Sequence, residues 1–295
     1  MPDAATPFQV ACLQIKPAKG DLGSTFDHLA ESIRQAASEG ADLCVLPESA
    51  TTGYILEGGV DNLALSAEDL VRELGGRLTG LPKPVDVAIG FYEQGPRRPH
   101  NSAAYIEIGD RAVLRHVYRK FFLPTYGVFD EHRFHEEGSA LGVVDTRFGR
   151  LGLLICEDVW HSILATLLCV AGAQMVLVHS ASPAREFQGD KPRNLLRYDA
   201  MLEALSGEHG VYCAMAMLAG FEGGKGLTGG SQVVDPFGNR VVQAETFGEQ
   251  IVMAEVDLRL VAEARAATPL ASDLKERWPD LIRIANGLER EDPPA

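Results

Sequence analysis

The sequence is poor in features that would tie a chain to an oxidising compartment, to nucleic acid or to a lipid bilayer. Its cysteines, Cys12, Cys44, Cys156, Cys169 and Cys213, are five in number, and no two form a C-x-x-C pair. An odd, unpaired set argues against a disulfide framework and predicts reduced thiols in the cytoplasm. Basic side chains are outnumbered, 27 Lys and Arg against 41 Asp and Glu, for a net charge of -14. Such a field repels phosphate backbones and anionic lipid surfaces, so the expected partners include neither nucleic acid nor membrane. The most membrane-like run, Ile163 to Ala173, is eleven residues long, too short to span a bilayer. The N-terminus, MPDAATPF, lacks the basic region and apolar run of a signal peptide. No G-x-S-x-G elbow, no G-x-G-x-x-G after a strand and no Walker loop occurs. GFEGGKGLTGG (220–230) has the wrong spacing for a phosphate loop and reads as a flexible connection bordering a pocket.

A composition of 46% apolar and 23% charged residues is that of an ordinary globular protein. No Pro/Ser/Gly linker divides it. The expectation is one domain over 1–295, with a tail of short helices from about 258 and a fraying end at EDPPA. Phe8–Ile15 reads as a buried strand. Thr25–Ser38 follows as an amphipathic helix, with Phe26, Leu29, Ile33 and Ala37 on one face, Ser24 or Thr25 as cap and Gly40 as stop. Asp42–Leu46 is the next strand. A second strand-helix-strand unit runs from about 150 to 179. Two similar units suggest internal pseudo-symmetry: an α/β chain with two facing sheets and helices outside. Lys120–Gly138 has no clear period and is rich in aromatics, which predicts an ordered, functional loop.

Three polar residues stand at the ends of predicted strands. Glu48 ends DLCVLPE, where a carboxylate behind a rigid proline faces the crevice at the strand ends. Lys120 ends RAVLRHVYRK. Cys156 ends LGLLIC and precedes a helix, whose free N–H groups and dipole are expected to favour a thiolate. Singly, each has a bland reading as capping acid, snorkelling lysine or core thiol. Together they suit an attack by sulfur with a carboxylate as proton acceptor. The other four cysteines read as core, and Tyr198 as a core or interface aromatic. Glu131, His132, His135 and Glu136 offer a metal-site alternative, but the segment is loop-like and lacks a second ligand pair.

In this order, LCVLPES around Glu48, YRKFFLPTYGVFDEHRF around Lys120 and GLLICEDVW around Cys156 resemble the nitrilase, or carbon–nitrogen hydrolase, superfamily. The resemblance runs from about residue 8 to 257. Within it, PESATTGY (47–54), CEDVW (156–160), SASP (180–183) and GGS (229–231) are most similar to the glutamine-hydrolysing domain of glutamine-dependent NAD synthetases. The resemblance implies a four-layer αββα sandwich and a Glu–Lys–Cys triad without a cofactor. Glu48 would be the general base, Cys156 the nucleophile and Lys120 an oxyanion donor. Glu131 would be a supporting glutamate, and the Glu157 backbone N–H a second oxyanion donor. Tyr54, Tyr126, Phe129 and Ser182 match pocket positions, and Lys191 matches more loosely. Arg133-Phe134-His135 stands where the family tends to have Arg-Tyr-Phe. No ATP-pyrophosphatase domain or Ser-Gly-Gly loop occurs within the 295 residues, so the chain is not expected to make NAD unaided.

The implied function is hydrolysis of a small primary carboxamide, glutamine-like, to acid and ammonia through a thioester. The alternatives are a nitrilase or an N-carbamoyl amino acid hydrolase and, from another class, an ammonia-supplying subunit of a separate synthetase or a non-catalytic binding relative. A homo-oligomer is expected by analogy.

Overall fold

The computed structural model describes residues 6–56 and 59–288. Residues 1–5 and the EDPPA end fall outside these, and with them the expectations of an absent leader and a frayed terminus. The opening is β1 (Phe8–Gln14), α1 (Leu22–Ser38) and β2 (Leu43–Val45). There follow α2 (Val60–Leu63), α3 (Ala67–Arg77), β3 (Val85–Glu93), β4 (His100–Ile108) and β5 (Ala112–Arg119). The middle holds α4 (Glu131–Phe134), β6 (Val143–Asp145), β7 (Arg150–Ile155), a 3-10 turn at Cys156–Trp160, α5 (Ser162–Val170) and β8 (Met175–Ser180). Next come β9 (Phe187–Gln188), β10 (Lys191–Pro192), α6 (Arg193–His209), β11 (Tyr212–Met217), β12 (Ala219–Glu222) and β13 (Lys225–Thr228). The chain continues through β14 (Gln232–Val234), β15 (Arg240–Gln243), β16 (Gln250–Val256), α7 (Arg259–Ala267) and α8 (Leu270–Leu288).

Two six-stranded sheets result, ordered β16-β1-β2-β3-β4-β5 and β15-β14-β11-β8-β7-β6. Each has three parallel strands at its centre, β1-β2-β3 in one and β7-β8-β11 in the other, with antiparallel strands outside. The repeated strand-helix-strand units of the sequence are the seeds of these two centres. Central strands are buried on both faces, which is why they read as near-continuous apolar runs. Their side chains still alternate: Val10, Cys12, Leu43 and Val45 face the second sheet, whereas Ala11, Leu13, Cys44 and Leu46 pack under α1 and α3. On the far side Leu164 and Leu168 of α5 and Leu202 and Leu205 of α6 cover the second sheet. The order of layers is αββα.

Some local expectations are corrected. Helix α1 starts one turn earlier than its apolar period: Asp21, not Ser24 or Thr25, is the cap and accepts Ser24 N–H at 3.1 Å. The period begins at Phe26 because Leu22 and Gly23 lie in the first turn, outside the buried stripe. The glycine-rich 220–230 stretch is no loose connection but the hairpin β12–β13. The helical tail is longer than expected, since α8 runs for 19 residues through Pro279. Among the described residues no helix is long and apolar enough to cross a membrane.

Candidate active site

Glu48, Lys120 and Cys156 follow the C-terminal ends of β2, β5 and β7, and the sandwich brings these ends together. Glu48 is fully buried. Its Oε1 accepts Lys120 Nζ at 2.8 Å and Asn101 Nδ2 at 2.7 Å. Its Oε2 accepts the Ala181 N–H at 2.9 Å. Lys120, also fully buried, donates a second bond to Glu131 Oε1 at 2.7 Å. Tyr54 OH donates to that same Glu131 oxygen. An ammonium has three N–H donors, and these two bonds leave Lys120 one.

Cys156 opens the 3-10 turn with φ +46°, a left-handed value that is uncommon for a residue with a Cβ. The turn lifts its side chain from the strand plane toward the first residue past β8: Cys156 Sγ lies 3.8 Å from the Ala181 carbonyl oxygen. Ala181 thus contacts Glu48 through its N–H and Cys156 through its C=O. The thiol also lies 3.2 Å from Tyr198 OH, which receives a bond from Ser180 Oγ at 3.0 Å. Asp158, two residues on, ties this turn to the lysine loop. Its Oδ2 accepts Ile155 N–H at 3.1 Å and Tyr118 OH at 2.8 Å, and its Oδ1 accepts Phe121 and Phe122 N–H at 3.1 and 2.9 Å.

Burial dominates the electrostatics. It raises the Glu48 carboxyl to about 7, against the pull of Lys120 and with the push of Glu131. It pushes the Cys156 thiol up to about 12, and Glu48 adds to this, while Lys120, Ser180 and Tyr198 oppose it. This corrects the expectation of a thiolate held by a helix N-terminus. The turn after Cys156 is only five residues of 3-10 helix, and its dipole is too small to offset loss of water. The resting sulfur is a thiol beside a carboxylate poised near neutrality. Burial pulls Lys120 down, but Glu131 and Glu48 outweigh it and hold the ammonium well above the usual lysine range.

The remaining expected residues divide. Tyr54 and Phe129 meet edge to face at 6.2 Å, and with Glu131, Tyr92 and His135 they line a concavity of about 140 Å³. Glu48, Lys120 and Cys156 do not line it. Tyr126 is half exposed, and its OH donates to the Glu157 carboxylate at 2.8 Å. The Glu157 backbone N–H follows Cys156 directly, inside the same turn. Ser182 is buried next to Ala181 and accepts Asn194 Nδ2 at 2.7 Å. Lys191 is exposed on the β9–β10 hairpin, its Nζ is 3.3 Å from Gln243 Oε1, and the structure does not bring it to the triad. The lysine points outward because β10 pairs through its backbone and buries Pro192 instead.

The metal alternative finds no support. Glu131 is taken by Lys120, His135 stacks on Tyr92 at 4.9 Å, and among the described residues no three His, Cys, Asp or Glu gather in metal-binding geometry. Sequence reasoning missed Asn101, Asp158, Tyr198 and Glu222. Glu222 Oε2 accepts the N–H groups of Tyr54 and Ile55 at 2.8 and 3.0 Å and so anchors the Tyr54 segment.

Residues 9–266 match the family model described as carbon-nitrogen hydrolase. The glutamine-dependent NAD(+) synthetase of Thermotoga maritima is 31% identical over 255 residues, 85% of this chain and 42% of that protein. The structure of the glutamine-dependent NAD+ synthetase of Acinetobacter baumannii aligns with a TM-score of 0.75 at 27% identity, over 87% of this chain and 47% of that one. A carbon-nitrogen hydrolase from Helicobacter pylori G27 aligns over 94% of this chain and 99% of that one, with a TM-score of 0.84 at 23% identity. The chain therefore spans less than half the length of these NAD synthetases.

Proposed function

The chain belongs to the carbon–nitrogen hydrolase family, and from that premise we propose that it hydrolyses a small primary carboxamide, glutamine-like, through a thioester on Cys156. One observation carries the reading: Lys120 is clamped between Glu48 and Glu131, while Ala181 joins the free side of Glu48 to the sulfur. Glu48 Oε1 already accepts two bonds and Oε2 only one, so Oε2 is the oxygen with room for the thiol proton.

The sulfur attacks the amide carbon as its proton passes to Glu48. The carbonyl oxygen becomes an oxyanion, met by the remaining Lys120 N–H and the Glu157 backbone N–H. Each such donor lowers the barrier by about 3–4 kcal/mol. The C–N bond breaks as Glu48 returns its proton to the leaving nitrogen, and ammonia departs. Water then gives a proton to Glu48 and adds to the thioester carbon; the acid leaves and sulfur recovers a proton. A carboxyl near pH 7 suits both halves, as acceptor and then as donor. Glu131 keeps Lys120 charged and in place, which explains a second buried carboxylate. No step calls for a cofactor.

The likeness to NAD synthetases supports a second reading: the same site supplies ammonia to a separate ATP-dependent synthetase. Ammonia release from a panel of carboxamides, nitriles and ureido acids tests both. Turnover of a carboxamide, abolished in Cys156→Ala, supports the first. Low turnover alone that rises with a co-purifying synthetase supports the second. Retained turnover in Cys156→Ala refutes the nucleophile.

A further inference from the structure

We propose that Tyr198 is a further catalytic residue, a hydrogen-bond donor to the Cys156 sulfur, and that Ser180 is the positioning residue that aims its proton. The proposal extends the reading above, since it takes Cys156 as the nucleophile.

Tyr198 projects from α6, and Leu195 and Leu202 of the same helix are core residues with it. Its ring is fully buried and packs edge to face against Trp160 at 5.3 Å, so the hydroxyl has no water to bond. A phenol has one proton to give. Ser180 Oγ donates to the Tyr198 oxygen at 3.0 Å, the Trp160 indole N–H also donates toward it, and the remaining neighbour is Cys156 Sγ at 3.2 Å, which Ser180 also faces. With its oxygen occupied by the serine proton, the phenol proton points at sulfur. A thiol accepts such a bond weakly; a thiolate accepts it as a charge-assisted bond. The pair therefore stabilises the sulfur anion more than the thiol or the thioester. It eases proton transfer to Glu48 before attack, and it favours sulfur as the leaving group when the thioester is hydrolysed. Because Glu48 is on the Ala181 side, the sulfur is held between a proton acceptor and a proton donor. The other titratable groups that face it are Lys120, Tyr54 and Tyr126.

The test is alkylation of Cys156 by iodoacetamide across pH, followed by mass spectrometry of the Cys156 peptide, in the wild type, Tyr198→Phe and Ser180→Ala. A lost bond to an anion raises the Cys156 thiol by about one pH unit in Tyr198→Phe, and the rising limb of the rate profile moves up by about half a unit. At pH 8 the rate falls only about threefold, because a less stabilised thiolate is also a better nucleophile. Ser180→Ala should shift the limb the same way by less. An unchanged or lowered limb in Tyr198→Phe overturns the proposal, and so does a loss of melting temperature with no shift of the limb. Alkylation needs no substrate. If the wild type releases ammonia from no amide, the hydrolase reading fails and this comparison still decides the role of Tyr198.

Discussion

Gly90 runs so close to Pro47 that a Cβ built on it would stand 2.4 Å from the Pro47 carbonyl oxygen, and 2.6 Å from the Cα of Glu48. The space is filled by backbone, and the Gly90 N–H donates to that same carbonyl at 3.1 Å. β3 is thus the wall against which the Glu48 turn is set. Gly90→Ala forces the two apart. Overpacking of this kind costs about 1–3 kcal/mol, and ammonia release should fall further than stability alone explains, because Glu48 moves from Lys120. Thermal unfolding measured beside kcat/KM checks this; full activity with a lowered Tm would show that the turn tolerates displacement.

Lys120→Met leaves Glu48 and Glu131 buried without their shared cation. Removing one partner of a buried ion pair costs about 3–5 kcal/mol. With the ammonium gone, the Glu48 carboxyl loses the cation that opposes its burial and rises further above its unfolded value, so the native state binds more protons than the unfolded one. The deficit must therefore shrink as pH falls from 8 to 5.5. Urea unfolding at the two pH values reads it, and a deficit independent of pH would mean that the cluster is not held by charge. Ammonia release should be lost at both.

Much of this site could be read from the order Glu48, Lys120, Cys156, because each follows a strand legible in the sequence, an apolar run before Glu48 and Cys156 and a β-prone alternating one before Lys120. The two strand-helix-strand units likewise announced the paired sheets. What the sequence hid was the wiring between segments. Tyr198 occupies a core position of α6, beside Leu195 and Leu202, and a phenol on an apolar stripe looks the same whether or not its hydroxyl meets sulfur. Asn101 lies inside β4 and reaches Glu48 only because β4 pairs with β3. The exposure of Lys191 was hidden as well: likeness of motif does not say which way a short hairpin turns its side chains.

Glu48 ties activity and stability to pH with opposite signs. Its carboxyl lies near 7 in the folded chain against 4.5 for the free group. Between these values the native state holds a proton that the unfolded state has released, so this group's contribution to stability falls as pH rises through the window. Catalysis needs the ionised form, so kcat/KM should climb about tenfold per pH unit below 7 and level above it. Glu48→Gln should abolish turnover and remove that slope from the stability profile. A wild-type kcat/KM that is flat from pH 5 to 8 would contradict the base assignment.

Asp158 is the joint between the nucleophile turn and the lysine loop, and its four bonds all come from donors, the Ile155, Phe121 and Phe122 N–H groups and the Tyr118 hydroxyl. A carboxylate can accept all four; an amide cannot, because one of its two heads is itself a donor. Asp158→Asn must turn an NH₂ toward either the Phe121 and Phe122 amides or the Ile155 amide and Tyr118. Buried donors left facing a donor cost about 1–3 kcal/mol each, so the variant should unfold roughly 5–10 °C lower. The sharper expectation is functional. The turn sets Cys156 and the loop sets Lys120, so separating them should lower kcat by more than it raises KM for the amide. Tyr118→Phe removes just one of the four donors and leaves the carboxylate three partners. It should therefore show a milder form of the same pattern, and a Tyr118→Phe enzyme as impaired as Asp158→Asn would place the coupling in the tyrosine instead of the carboxylate.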